Sequence, residues 1–294
     1  MNINMLEVTG LSKKYKQFAI ENISFSVPQG CIMGFIGQNG AGKSTTIKCI
    51  MNLISFNSGE IKILGKDNKK SSKEIRNQIG YVSEEQYYYE DMTVEWTGNF
   101  IGRYYENWDN LHFNKLLLCL SIDKKKKIKE LSKGMKVKLS LALALSHRPK
   151  LLILDEPTSG LDPVVREEIL EILMDTIQDE GCSVFFSSHI TSDIERIADY
   201  VTFIDRGKII LCDDKDTILQ NWKLIKASND YYDDSLRTQL LGIKKGDFGF
   251  SGITNNIESF SVLFHNTFPK GNYIKENATL DELLIRFVKD GADA

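Results

Sequence analysis

The chain has 294 residues, 42% apolar and 26% charged, with 37 basic against 40 acidic side chains for a net charge of −3. That excludes a disordered tail or a fibrous repeat, and it leaves no bulk positive field of the kind that draws proteins onto nucleic acid or anionic lipid. Five widely spaced cysteines without a Cys-x-x-Cys pair argue against a disulfide framework or a zinc knuckle and fit a reducing cytosol. The start, Met1-Asn2-Ile3-Asn4-Met5, lacks a basic region leading into an apolar stretch, and no window reaches the roughly 18 apolar residues of a membrane span, so a soluble chain is expected.

In chain order, Leu6 to Val8, Ile20 to Val27 and the apolar run Cys31 to Ile36 read as strands, the last two separated by a Pro28-Gln29-Gly30 turn. A glycine-rich loop then leads into a helix from Ser44 to Leu53, and Glu60 to Leu64 alternates like another strand. The stretch from about 86 to 147, rich in aromatic and leucine residues, reads as mainly helical. From Leu151 the pattern alternates: strand to Leu154, helix from Pro163 to about Gln178, strand Ser183 to Phe186, helix near Ser192 to Ala198. A strand pair, Val201 to Ile204 and Lys208 to Leu211, turns at Asp205-Arg206-Gly207. Beyond about 215 the composition shifts toward Asn, Asp, Tyr and Lys. Leu224 to Ala227 and Phe260 to Phe264 are expected strands there, and a closing helix starts at Thr279, with Glu282 completing a capping box.

Two motifs carry chemistry. Gly37-Gln38-Asn39-Gly40-Ala41-Gly42-Lys43-Ser44-Thr45 fits G-x-x-x-x-G-K-[ST] between an apolar strand and a helix, where main-chain N–H groups and the helix N-terminus cradle a phosphate chain. Lys43 is then expected on the β and γ phosphates of ATP and Ser44 on Mg²⁺. Leu151-Leu152-Ile153-Leu154-Asp155-Glu156 is an apolar strand ending in two acids, which delivers Asp155 to the metal and Glu156 to a water beside the γ-phosphate.

With those motifs in place, the chain resembles the nucleotide-binding subunit of an ATP-binding cassette (ABC) transporter. Leu131-Ser132-Lys133-Gly134-Met135, 24 residues before Asp155, resembles that family's signature, although Lys133 and Met135 stand where the family has glycine and glutamine. Ser159-Gly160-Leu161-Asp162 resembles its D-loop and His189 its switch histidine, while Glu84 stands in place of a glutamine, with Gln86 nearby. Tyr15 falls where the family stacks an aromatic on adenine, with Phe18 as the alternative.

The resemblance covers most of residues 5 to 215 and is greatest to single-cassette subunits of two-component (ABC-2 type) exporters. It implies an α/β fold, a P-loop NTPase with an antiparallel β subdomain and a helical subdomain at about 86–147. The cassette would span 1–215, and 216–294 would form a small α+β appendage. It also implies a partner cassette, in a homodimer or heterodimer, whose segment Ser132 to Met135, with Ser132 and Gly134 in contact with phosphate, completes each ATP site, and it makes Asp162 a nucleotide-binding residue. Glu156, His189 and Lys43 would catalyse, and Glu84 would reach Mg²⁺ through water. A separate permease chain would hold the subunit on the inner face of the cell membrane, with no nucleic-acid partner. The rivals are a soluble cassette ATPase in an assembly role, a nucleic-acid or ribosome ATPase, and a nucleotide-binding regulator. Met135 to Leu145 alternates like a strand, yet Leu, Ala, Lys and Met favour helix, and the resemblance implies helix. Tyr87-Tyr88-Tyr89 with Trp96 is read either as core or as an interface for a partner's helix, and His112 and His147 are read as structural.

Overall fold

The computed structural model describes residues 3–290, in two compact units that divide between Cys212 and Asp213. In the first unit, β1 (Asn4–Lys14), β2 (Ala19–Pro28), β3 (Ile32–Ile36) and α1 (Lys43–Ile50) lead to β4 (Ser58–Ile63) and the two-residue β5 (Lys66–Asp67). Helix α2 (Ser72–Arg76) and strand β6 (Ile79–Val82) open a helical stretch of α3 (Val94–Gly102), α4 (Asn110–Cys119), a 3₁₀ turn (Ile128–Glu130) and α5 (Lys133–Leu145). Then come β7 (Leu151–Asp155), α6 (Pro163–Glu180), β8 (Ser183–Ser188), α7 (Thr191–Ile197), β9 (Tyr200–Asp205) and β10 (Lys208–Asp214).

Two sheets organise these elements. An antiparallel sheet runs β2-β1-β4-β5; a second runs β10-β9-β3-β8-β7-β6, in which β9, β3, β8, β7 and β6 are parallel. The central strands β3, β7 and β8 are buried at every position, as expected for parallel strands covered on both faces. Leu6, Val8 and Leu11 of β1 share one core with Phe35, Ile47, Leu151 and Phe185, so the antiparallel sheet and the phosphate-loop helix are built on the parallel sheet. A second core, Val94, Phe113, Leu117, Ile128, Leu139 and Leu143, belongs to the helical stretch.

Residues 133–145 form a helix, as the propensities imply. From Leu139 to Leu145 every residue is buried, and a helix buried all round has no polar face to give a 3.6-residue period. Helix α1 stops at Ile50, short of the expected Leu53. His147 is structural: it is buried, its Nε2–H donates to the Ile79 carbonyl at 3.0 Å, and its ring stacks on Tyr105 at 4.1 Å.

The second unit contains α8 (Lys215–Asn221), β11 (Lys223–Ala227), β12 (Leu241–Lys245), β13 (Phe250–Thr254), α9 (Ile257–Thr267), β14 (Tyr273–Asn277) and α10 (Leu280–Asp290). Its antiparallel sheet has the order β12-β13-β11-β14. Thr279 and Glu282 exchange the two hydrogen bonds of a capping box at the start of α10. The strand expected at Phe260 to Phe264 is corrected to helix α9, capped by the Asn256 side chain on Ser259 N–H. Phe260, Val262 and Phe264 alternate, which suggested a strand; Phe260 and Phe264 also satisfy i, i+4 spacing, and with the cap present the helix buries both while leaving Val262 62% exposed.

Val262→Asp is accordingly expected to shift stability by no more than ~0.5 kcal/mol, and Phe264→Ala to cost ~3–5 kcal/mol, in urea melts of the full chain. Equal losses would restore the strand reading. A second expectation concerns acid. Burial holds His147 below the ordinary histidine value, and its buried Nδ1 has no acceptor for a second proton. The native state therefore binds fewer protons than the unfolded chain below about pH 6.5, and this contribution to stability is present above that pH and lost as pH falls through it. His147→Gln should flatten the slope of stability against pH between about 5 and 7.

Candidate functional site

Strand β3 ends at Ile36, and the chain loops through Gly37 to Gly42 before entering α1. Gly40 and Gly42 take φ of 82° and 116°, which L side chains rarely adopt, and a Cβ on Gly42 would lie 2.8 Å from Ile20. Asn39 and Gly40 are exposed at the tip, Ala41 is buried with its carbonyl accepting from Gly207 N–H, and Ser44 and Thr45 are half-buried at the helix start. The Lys43 ammonium folds back into its own loop. It donates to the carbonyls of Gly37 (2.7 Å) and Gln38 (3.2 Å) and lies 2.9 Å from Glu156 Oε1.

The neighbouring strands bring up the partners. β7 ends in Asp155, in register with Ser187 of β8, and the Ser187 hydroxyl bridges the two acids: it donates to Asp155 Oδ1 at 2.8 Å and accepts from Glu156 N–H at 3.1 Å. The Ser44 hydroxyl donates to the same Asp155 oxygen at 3.1 Å. His189 follows β8, with Nδ1 2.7 Å from Glu156 Oε2. Glu156 sits at φ 51°, the left-handed region, at a cost of about 1–2 kcal/mol for a residue with a Cβ. Burial pushes the Asp155 carboxyl above its usual range; the Ser187 and Ser44 hydroxyls pull it down, and the Glu156 charge raises it again.

Lys43, Ser44, Asp155, Glu156 and His189 are thus brought together. Ser187 was missed as a separate candidate; its signal was its place in the strand leading to His189, readable only once β7 and β8 are known to pair in register. Among the described residues no group of three or more His, Cys, Asp or Glu could hold a metal. A hydroxyl and one carboxylate, with phosphate oxygens and water completing the shell, is the way Mg²⁺ is generally held, so the donor set of Ser44 and Asp155 fits that ion. Glu84 is exposed two residues past β6, whose Val82 pairs in register with Leu154, and so lies beyond the same strand ends. Tyr15 is exposed beneath the Lys13 ammonium, whereas Phe18 packs toward the loop at Gly42.

Ser132, Gly134 and Asp162 make a second group. Ser132 caps α5 by accepting from Met135 N–H, and Asp162 caps α6 by accepting from Val164 and Val165 N–H. A Cβ on Gly134 would meet Val165 at 2.8 Å, so the two helix starts are in close contact. The two groups are joined through the turn from Glu156 to Ser159, where Ser159 N–H donates to the Glu156 carbonyl.

The family described as ABC transporter matches residues 20–159. The bacitracin transport ATP-binding protein BcrA of Bacillus licheniformis is 37% identical over 211 residues, covering 70% of this chain and 68% of the relative. The lantibiotic transport ATP-binding protein SrtF of Streptococcus pyogenes is 36% identical over 223 residues, covering 70% and 90%. A solved structure of the ATP binding subunit of an ABC transporter superposes with a TM-score of 0.67 at 30% identity, covering 74% of this chain and 92% of that one.

Lys43→Met is expected to lower the thermal midpoint of the nucleotide-free protein as well as its nucleotide affinity, because Glu156, only 7% exposed, loses its cation at a cost of roughly 3–5 kcal/mol. Calorimetry and a nucleotide titration on the same sample check both; an unchanged affinity would remove Lys43 from the site.

Proposed function

Because the chain belongs to the ATP-binding cassette family, as the ATP-hydrolysing subunit of a transporter whose permease is a separate chain, we propose a specific division of labour among its residues. The reading rests on one observation, the shared contact of Lys43, Glu156 and His189 beside the pair of Ser44 and Asp155.

Main-chain N–H groups of Gly37 to Thr45 hold the triphosphate, and Lys43 exchanges its loop carbonyls for phosphate oxygens, a stronger charge-assisted pairing. Ser44 and Asp155 would hold Mg²⁺, with Glu84 placed to reach it through water, and the bound ion would supply neutralisation of charge on the phosphates. Glu156, no longer paired with Lys43, accepts a proton from the attacking water, and His189 holds that carboxylate in place and faces the γ-phosphate. Tyr15 or Phe18 packs on the adenine. A second cassette, identical or not, supplies Ser132, Gly134 and Asp162, so ATP stabilises a closed pair and hydrolysis releases it.

The permease docks on the helical stretch near Glu84. In support, Tyr89, Trp96, Phe100 and Tyr104 form a continuous ring-to-ring ladder whose Tyr89 and Tyr104 are exposed, while Tyr88 is half-buried, meets the Ser140 hydroxyl and packs against the core of the helical stretch. Among the described residues no helix is long and apolar enough to cross a membrane, and docking on the permease places the subunit at the inner membrane face. Since two relatives are named for bacitracin and lantibiotic transport, an antibiotic is the cargo class to test first.

Glu156→Gln should accumulate an ATP-bound dimer, seen as a doubling of mass by light scattering with ATP and not with ADP, while hydrolysis falls by at least about 100-fold. A variant that stays monomeric with ATP, or hydrolyses at the parent rate, contradicts this assignment.

A further inference from the structure

Lys133 occupies the first position of α5, directly after the capping Ser132. A cation there is locally unfavourable, because the helix N-terminus already carries partial positive charge, and the first turn of α5 contains no acidic residue. The flanking lysines are each matched by a carboxylate: Lys129 by Asp91 (2.7 Å), Lys136 by Glu90 (3.1 Å) and Lys138 by Glu168 (2.5 Å). Among the described residues no carboxylate pairs with Lys133. Its ammonium is exposed and donates instead to a neutral acceptor, the Ser159 carbonyl, at 2.8 Å.

The ammonium rests against a glycine. Gly160 takes φ 66°, and a Cβ there would stand 2.7 Å from Lys133 Nζ. The surroundings are firm, since Gly134 packs on Val165 and Lys138 bridges to Glu168 from α5 to α6. A positive charge is thus held at the mouth of a helix, on a weak partner, next to the serine assigned above to a neighbouring cassette's ATP. A local rule broken without local compensation points to an absent counter-charge.

We propose that the counter-charge is the terminal phosphate of ATP bound to the second cassette: Lys133 leaves the Ser159 carbonyl when the pair closes and adds a cationic contact across the interface. This rests on the two-cassette reading above. The exchange is favourable because a phosphate oxygen is a far stronger acceptor for an ammonium than a neutral carbonyl. It also frees the Ser159-Gly160 turn from the signature turn at the moment of closure, so Lys133 binds in trans and releases in cis.

The test uses the full chain carrying Glu156→Gln, with the ATP concentration for half-maximal dimer read by sedimentation velocity. Adding Lys133→Gln should raise that concentration about tenfold, as expected for losing one charge-assisted bond, while Lys133→Arg stays within about threefold of the parent. The parent should lose dimer with added salt more steeply than Lys133→Gln. Monomer affinity for ATP, measured at protein concentrations below dimerisation, should be the same in all three, which a damaged fold would not allow; Lys133→Ser serves as a second neutral variant. If Glu156→Gln dimerises with ATP and Lys133→Gln does so at the same ATP and with the same salt dependence, the proposal is overturned and the two-cassette reading stands. If arginine fails to restore what glutamine loses, the residue acts as a strut and the proposal is likewise overturned. If Glu156→Gln never dimerises with ATP, the reading itself falls and takes the proposal with it.

Discussion

The buried pairing of Lys43 with Glu156 is the constraint around which the cassette is arranged. Both side chains are almost wholly out of water, and a charge in that position is tolerated only when matched and further hydrogen-bonded. The matching is supplied by topology. Parallel strands β3, β7 and β8 end at the same level, so the loop after β3, the acids after β7 and the histidine after β8 converge without any long-range loop. Moving any one strand by a residue would turn the ligating side chains to the opposite face of the sheet.

The site is therefore poised by exchange. Lys43 is bonded to two carbonyls and a carboxylate, Asp155 to two hydroxyls and Glu156 to a lysine, a histidine and a serine hydroxyl that accepts from its N–H. On the division of labour proposed above, each of these partners would be exchanged for a phosphate oxygen, a cation or water, so that nucleotide binding would replace contacts and leave few groups to be desolvated afresh. The exchange proposed for Lys133 and the Ser159 carbonyl, three residues past Glu156, has the same form.

Much of this was legible in the residues, and the limits have physical causes. The phosphate loop and the paired acids announce themselves because their chemistry needs contiguous residues on one strand-to-loop junction. The helix over 133–145 was legible from propensity and resemblance but hidden from periodicity, since its second half, Leu139 to Leu145, is buried on all sides. Phe260 to Phe264 misled because aromatic residues four apart satisfy both periods, and the deciding signal was Asn256, a cap rather than an apolar residue. Ser187 and the Lys133 contact were illegible for another reason: each joins residues 26 to 32 positions apart, and only the sheet register and the packing of α5 on α6 bring them together.

The left-handed backbone at Glu156 has an engineering corollary. Glycine, or to a lesser degree asparagine, would adopt that conformation with less strain, but neither carries a carboxylate. Relieving that strain would strand the Lys43 ammonium, 5% exposed, without its carboxylate, so the awkward backbone and the enclosed ion pair hold each other in place against drift toward an easier conformation.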